Sequence, residues 1–222
     1  MIESLFPNVN WESMWEATIQ TAYMTAISVL ATFILGILLG LLLFLTGRGN
    51  IWENKFVNSI IAGIVNLFRS IPFIILIILL IPLSVYIIGT MLGANAALPA
   101  LIAGAAPFYA RMVEIALREV DKGVIEASQS MGASNGEIIF KVLLPEAMPA
   151  LISGITVTAI ALVSYTAMAG VVGAGGLGNL AYLEGFQRNN PDVTLVATGL
   201  ILVIVAILQI AGDLATRVID KR

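Results

Sequence analysis

The chain contains no cysteine and no histidine in 222 residues. That double absence excludes disulfides, thiol nucleophiles, imidazole acid–base chemistry and every Cys/His metal site. Charge is scarce too: 11% of residues are charged against 59% hydrophobic, where a soluble domain carries about a quarter charged. The net charge of −3 arises from 14 acidic and 11 basic residues, and the bases are too scattered to form a groove for nucleic acid. No lysine follows a glycine, so there is no G-x-x-x-x-G-K-[ST] phosphate loop. Gly173-x-Gly175-x-x-Gly178 fits a dinucleotide fingerprint only formally, because no buried strand precedes it. The N-terminal stretch carries Glu3, Glu12 and Glu16 but no Lys or Arg. Its apolar run is about twice the length of a signal-peptide core, so it is expected to stay attached as a first span.

What is present in abundance is uncharged sequence, at 17–47, 70–110, 147–183 and 193–212. A bilayer core needs roughly 20 apolar residues as helix, and these runs do not alternate as the strands of a membrane barrel would. The run 70–110 is too long for one crossing, and Gly89-Thr90 with Gly93-Ala94-Asn95 marks a turn inside it. In the run 147–183 the second half holds five glycines between Gly170 and Gly178, a poor membrane helix. The reading is therefore an all-α integral membrane protein of one transmembrane domain, 1–222. It has five transmembrane helices at about 17–45, 70–88, 97–117, 148–169 and 193–212. Residues 56–68 read as a one-faced helix leading into the second span. Gly36 and Gly40 form a GxxxG pair, a candidate for close helix contact.

Five spans put the termini on opposite faces, and the Lys/Arg bias tests which is inside. With the N-terminus out and the C-terminus in, Arg48, Lys55, Arg118, Lys122, Lys141, Arg217, Lys221 and Arg222 are all cytoplasmic, and only Arg188 is clearly outside. A sixth span would spoil that asymmetry.

The longest cytoplasmic loop, 118–146, is patterned as two short amphipathic helices, with Val124, Ala127 and Met131, then Ile138, Val142 and Leu143 at helical spacing. Gly132-Ala-Ser-Asn-Gly136 lies between them, and Ser134-x-x-Glu137 is a capping box. Spacing alone leaves open whether the hairpin docks a partner or packs on the membrane surface.

Glu126-Ala127-Ser128, Gly132 and Val142-x-Leu144-Pro145 resemble the EAA loop of ABC-importer permeases, with every spacing kept; Ser128 stands for the third Ala and Val142 for Ile. The resemblance extends over nearly the whole chain. Phe68-Arg-Ser-Ile-Pro-Phe73, Ala105-Ala-Pro-Phe-Tyr-Ala-Arg-Met112, Arg118-Glu-Val-Asp121 and Tyr165-Thr-Ala-Met-Ala-Gly170 with Gly175-Gly-Leu-Gly178 are similar to the permeases of bacterial methionine-uptake ABC transporters. That resemblance implies a type I ABC importer permease fold in the bacterial cytoplasmic membrane, working as a homodimer with two copies of an ABC ATPase subunit. An extracytoplasmic methionine-binding lipoprotein would deliver methionine. No cofactor is expected in this chain, since ATP and Mg would sit on the partner ATPase, and the chain itself would not be an enzyme.

By the same resemblance Glu126, Ala127, Ser128, Gly132, Val142, Leu144 and Pro145 form the ATPase-coupling loop, with Glu126 bonded to the ATPase, Gly132 making the turn and Pro145 ending the docking element. Tyr165 and Met168 are implied in the translocation path or its outer gate, Met168 as a hydrophobic plug; ordinary helix packing is the other reading for both. Arg69 and Arg111 lie near the membrane and must snorkel or pair, and Glu114 is placed to pair Arg111 at i,i+3. Arg69 retains two readings, a topology anchor or a contact to the substrate carboxylate. The alternatives are an ABC permease for another small amino acid or solute, a purely structural membrane protein, and an ion-coupled secondary transporter. The last would place acidic or lysine residues near the midplane, where these spans lack them.

Overall fold

The computed structural model describes residues 6–220; Glu3, Lys221 and Arg222, which contribute to the charge asymmetry, lie outside the described residues. All regular elements among the described residues are helical. Helix α1 (Trp11–Thr46) starts earlier than its apolar run, because Asn10 accepts a hydrogen bond from Ser13 N and caps it. Then follow α2 (Lys55–Ser70), α3 (Phe73–Leu79), α4 (Ile81–Ile88) and α5 (Ala94–Arg118). The hairpin helix α6 (Lys122–Ser130) precedes α7 (Asn135–Val171), a short α8 (Gly176–Leu180) continued by π-helical turns, and α9 (Pro191–Ile219). Four of these are long and apolar enough to cross a membrane, or five if the bent pair α2–α3 counts as one span.

The second span is not the single helix over 70–88 that the apolar run implies. Ile71 is extended, at φ −85° and ψ 123°, as a residue before proline must be. Pro72 then opens α3 at 107° to α2. A second break falls at Leu80, where Pro82 has no N–H to offer the carbonyl of Ile78 and its ring crowds the preceding turn.

Helix α5 is the centre of the subunit: Ala100, Leu101, Tyr109, Ala110, Val113 and Leu117 are all fully buried. Helix α1 buries a stripe of small residues, Thr21, Thr25, Ser28, Thr32, Gly36 and Gly40, and meets α5 at the two glycines. A Cβ on Gly36 would lie 2.5 Å from Tyr109 Cδ1, and one on Gly40 would lie 2.5 Å from Val113 Cβ and 2.7 Å from the Ala110 carbonyl. The GxxxG pair is thus a contact face. Facing away from α5, Leu30, Ile34 and Leu38 of α1 and Leu202, Ile207 and Ile210 of α9 are exposed, the surface that suits acyl chains as solvent.

The glycine-rich segment 170–178 packs at one end of the bundle. Gly176 N donates to Gln20 Oε1 at 2.8 Å and Leu177 N to Thr21 Oγ1 at 2.9 Å. Gly93 N donates to the Gly173 carbonyl at 2.9 Å, tying the α4–α5 turn to the same place. The helix pair α6–α7 forms the hairpin at the opposite end.

Candidate functional site

Asp121 caps α6 by accepting from Gly123 N at 2.7 Å. At the other end the chain reverses through a Schellman motif: Gly132 N donates to Gln129 O at 2.9 Å and Ala133 N to Ser128 O at 3.1 Å. Gly132 carries the positive φ of 82° that this motif requires, and a Cβ there would meet nothing within 4 Å. The demand for glycine is therefore conformational, not steric.

Ser134 opens the second arm with both halves of its capping box formed, its N–H donating to Glu137 Oε2 at 3.1 Å and Glu137 N to Ser134 Oγ at 3.4 Å. Lys141 Nζ adds a bond to Glu137 Oε1 at 2.9 Å. The Lys141 hydrogen bond, followed by those from Ser134, pulls the Glu137 carboxyl from 4.5 down to about 2.

Two expectations for this arm need correction. It is not a separate short helix, and Pro145 does not end it: Asn135–Val171 is one continuous helix. The helix passes Pro145 by widening into π-helical turns over Ile138–Leu143, which relieves the missing N–H and the ring clash with the preceding turn. The hairpin's second arm is therefore rigidly continuous with a spanning helix.

Within the hairpin, Glu126, Ala127, Gly132 and Pro145 are exposed, Val142 and Leu144 are half-buried, and Ser128 is buried with its hydroxyl donating to Val124 O at 2.8 Å. Ile138, Ile139 and Leu143 anchor the inner face in the same core as Tyr109, Val113 and Leu117. The outer face leaves Met131 82% and Phe140 70% exposed. Those two apolar groups were not among the expected site residues; their mismatch with a polar turn is the signal that marks them.

Inside the bundle, the structure brings together residues far apart in sequence. Arg69, at the end of α2, and Tyr165, in α7, line one cavity of about 240 Å³ with Phe68, Phe73, Gly104 and Phe108. Tyr165 stacks on Phe73 with ring centroids 4.4 Å apart and planes at 3°. Met168, by contrast, is outside this lining and 44% exposed. Close by, Glu114 is buried and paired on both sides, with Arg111 and with Arg118, the latter at 2.6 Å. Arg111 also reaches Asn66 Oδ1 at 3.2 Å, fastening α2 to α5. The Arg118 arm of this cluster is an i,i+4 spacing that sequence reasoning missed.

A bundle of spanning helices around a proline-broken segment, with a capped hairpin built onto one spanning helix, defines a class: a multi-pass α-helical membrane protein. The chain belongs to the family of binding-protein-dependent transport system inner membrane components, whose model matches residues 33–222. It is thus a membrane transport subunit. Over its whole length it is similar to the methionine import system permease protein MetP of Bacillus subtilis, 68% identical over 222 residues covering 100% of both chains. The probable D-methionine transport system permease protein MetI of Pasteurella multocida is 48% identical over 179 residues, 81% of this chain and 82% of that one. Among solved structures, an inward-facing conformation of the MetNI methionine ABC transporter matches with a TM-score of 0.92 at 44% identity, covering 94% of this chain and 96% of that chain. An amino acid ABC transporter at 19% identity and a TM-score of 0.69 shares the fold, over 95% of this chain and 99% of its own. The fold is that of a type I ABC importer permease.

Proposed function

We propose that this chain is the permease subunit of an ATP-driven methionine importer, moving the amino acid by alternating access. The observation that carries the reading is full-length identity of 68% to a methionine import permease. Two copies of the chain would pair with two ATPase subunits that hold ATP and Mg, and a methionine-binding lipoprotein would deliver substrate. The chain would lie N-out and C-in, which places the hairpin in the cytosol.

In this reading the hairpin is the part that receives force. Glu126 and Ala127 present the exposed face of α6, Ser128 and Gly132 close the turn, and Val142, Leu144 and Pro145, in the first part of α7, carry displacement along that helix into the membrane. A continuous helix is a suitable lever, because rigid elements transmit rigid-body motion without dissipating it locally. Tyr165 sits on the path and Met168 at its outer gate.

The test is reconstitution with the ATPase and the binding lipoprotein in liposomes. The expected result is methionine uptake that requires ATP, with no hydrolysis by the chain alone. Uptake driven by an ion gradient without ATP would overturn the mechanism. Preference for a different amino acid over methionine would overturn the substrate alone.

A further inference from the structure

Helix α1 does more at its outer end than pack. Gln20 Oε1 and Thr21 Oγ1 accept from the N–H groups of Gly176 and Leu177 at 2.8 and 2.9 Å. Those are the first two N–H groups of α8, which have no acceptor within their own helix. Thr21 and Leu177 are buried, so water does not replace a partner lost there. The Gln20 amide is itself oriented, because its Nε2 donates to Glu16 Oε1 at 3.2 Å. The approach is close enough to need glycine: at φ 79° a Cβ on Gly176 would lie 2.7 Å from Thr21 Oγ1.

From there α8 folds back onto α7. Asn179 Nδ2 donates to the Gly170 carbonyl at 2.9 Å, and a Cβ on Gly178 would run into the Ala167 backbone. Ala167 immediately precedes Met168, which shares an exposed stripe of α7 with Val157, Ser164 and Val171. Two side chains of α1 are thus joined through α8 to the turn of α7 that carries Met168.

We infer that Gln20 and Thr21 are positioning residues for the outer gate: they clamp α8 against α7 and so hold the turn around Met168 closed. The inference rests on the proposed gate at Met168 and adds the element that keeps it shut. Helix α1 suits the part, since its inner half is fixed on α5 at Gly36 and Gly40 and packed helices move as units. Both groups act through α8 and not on the solute.

The chain lacks cysteine, so Ser164→Cys, one turn inward of Met168 on the same stripe, gives one reporter thiol on this chain. In right-side-out membrane vesicles carrying the complete transporter, an external charged methanethiosulfonate has to pass Met168 to reach it. Labelling is expected to be slow without ATP and fast when ATP and vanadate inside trap the outward-open state. Gln20→Met with Thr21→Val keeps the shapes and removes both acceptors. Labelling without ATP should then rise about fivefold or more, as two hydrogen bonds lost from one state require, with the trapped state unchanged. Thr21→Ser, which keeps the acceptor, should label like the parent. Should the double variant fail to assemble, Thr21→Val alone is compared with Thr21→Ser. A lower melting temperature with unchanged labelling would make the contact merely structural and overturn the inference, as would equal rates for Thr21→Val and Thr21→Ser. Parent labelling that trapping does not change would fall on the gate reading instead. Methionine moved per ATP then decides the clamp, which predicts a fall in the double variant and is overturned by an unchanged ratio.

Discussion

Ala133 donates its main-chain N–H to the carbonyl of Ser128 at 3.1 Å, closing the chain over Gly132. The bond forms only while Gly132 holds its positive φ of 82°. A branched or bulky side chain in that conformation costs about 1–2 kcal/mol. Gly132→Leu is therefore expected to open the turn and uncouple the transporter, with ATP hydrolysis retained and methionine uptake reduced several-fold. Gly132→Asn, tolerated in the left-handed region, should keep most uptake. Parallel ATPase and uptake assays check both, and full coupled uptake by the Leu variant would remove this turn from the mechanism.

The contact of α1 with α5 makes a second prediction, on stability. Gly40→Ala places a methyl group against Val113 and the Ala110 carbonyl, and overpacking of that kind costs about 1–3 kcal/mol. Gly63, in α2, has nothing within 4 Å of its Cβ position. Gly63→Ala should be neutral or stabilising by up to about 1 kcal/mol, through helix propensity. Thermal unfolding of the detergent-purified protein separates the two, and equal melting temperatures would deny the tight α1–α5 approach.

How far these features were legible in the sequence depends on whether their cause is local. The turn at Gly132, the Ser134–Glu137 box and the breaks at Gly89 and Gly93 are written in neighbouring residues, and the structure has them where the residue types require. The bend at Ile71–Pro72 was local too, but one uncharged run masked it, since hydropathy records composition and not direction. The fusion of the hairpin with α7 was hidden because Pro145 ordinarily stops a helix, and only tertiary packing of Ile138, Ile139 and Leu143 makes the widened turns affordable. The meeting of Arg69 with Tyr165 has no local signature at all; it follows from α3 and α7 packing together around Phe73.

Glu114 supplies a third prediction. Its side chain is 3% exposed while Arg111 and Arg118 are 30% and 62% exposed. Glu114→Gln keeps the shape and removes the charge that both arginines face. A fully buried pair broken this way loses about 3–5 kcal/mol; with the arginines partly in solvent the loss should be about 1–3 kcal/mol. Replacing Arg111 by Met in the same chain should recover part of it, by removing one stranded cation. Denaturation of single and double variants measures the coupling, and strictly additive losses would show that the groups do not act as a cluster.

The last prediction concerns pH and the hairpin. The Glu137 carboxyl is held down to about 2 from an ordinary 4.5, first by the hydrogen bond from Lys141 and then by the Ser134 N–H and hydroxyl. A depressed carboxyl stabilises the folded form above its unfolded value and loses that contribution as pH falls through its folded one. The cap contributed by Glu137 is thus complete above about pH 4.5 and lost as the pH drops through about 2. Between pH 5 and about 8 it should not titrate, so any pH dependence of transport in that range must arise elsewhere. Lys141→Ala removes the largest cause and should move the midpoint up toward 4.5. Carboxyl-carbon NMR of the Glu-labelled protein follows this directly, and a midpoint near 4.5 in the unmodified chain would mean that the box between Ser134 and Glu137 is open in solution.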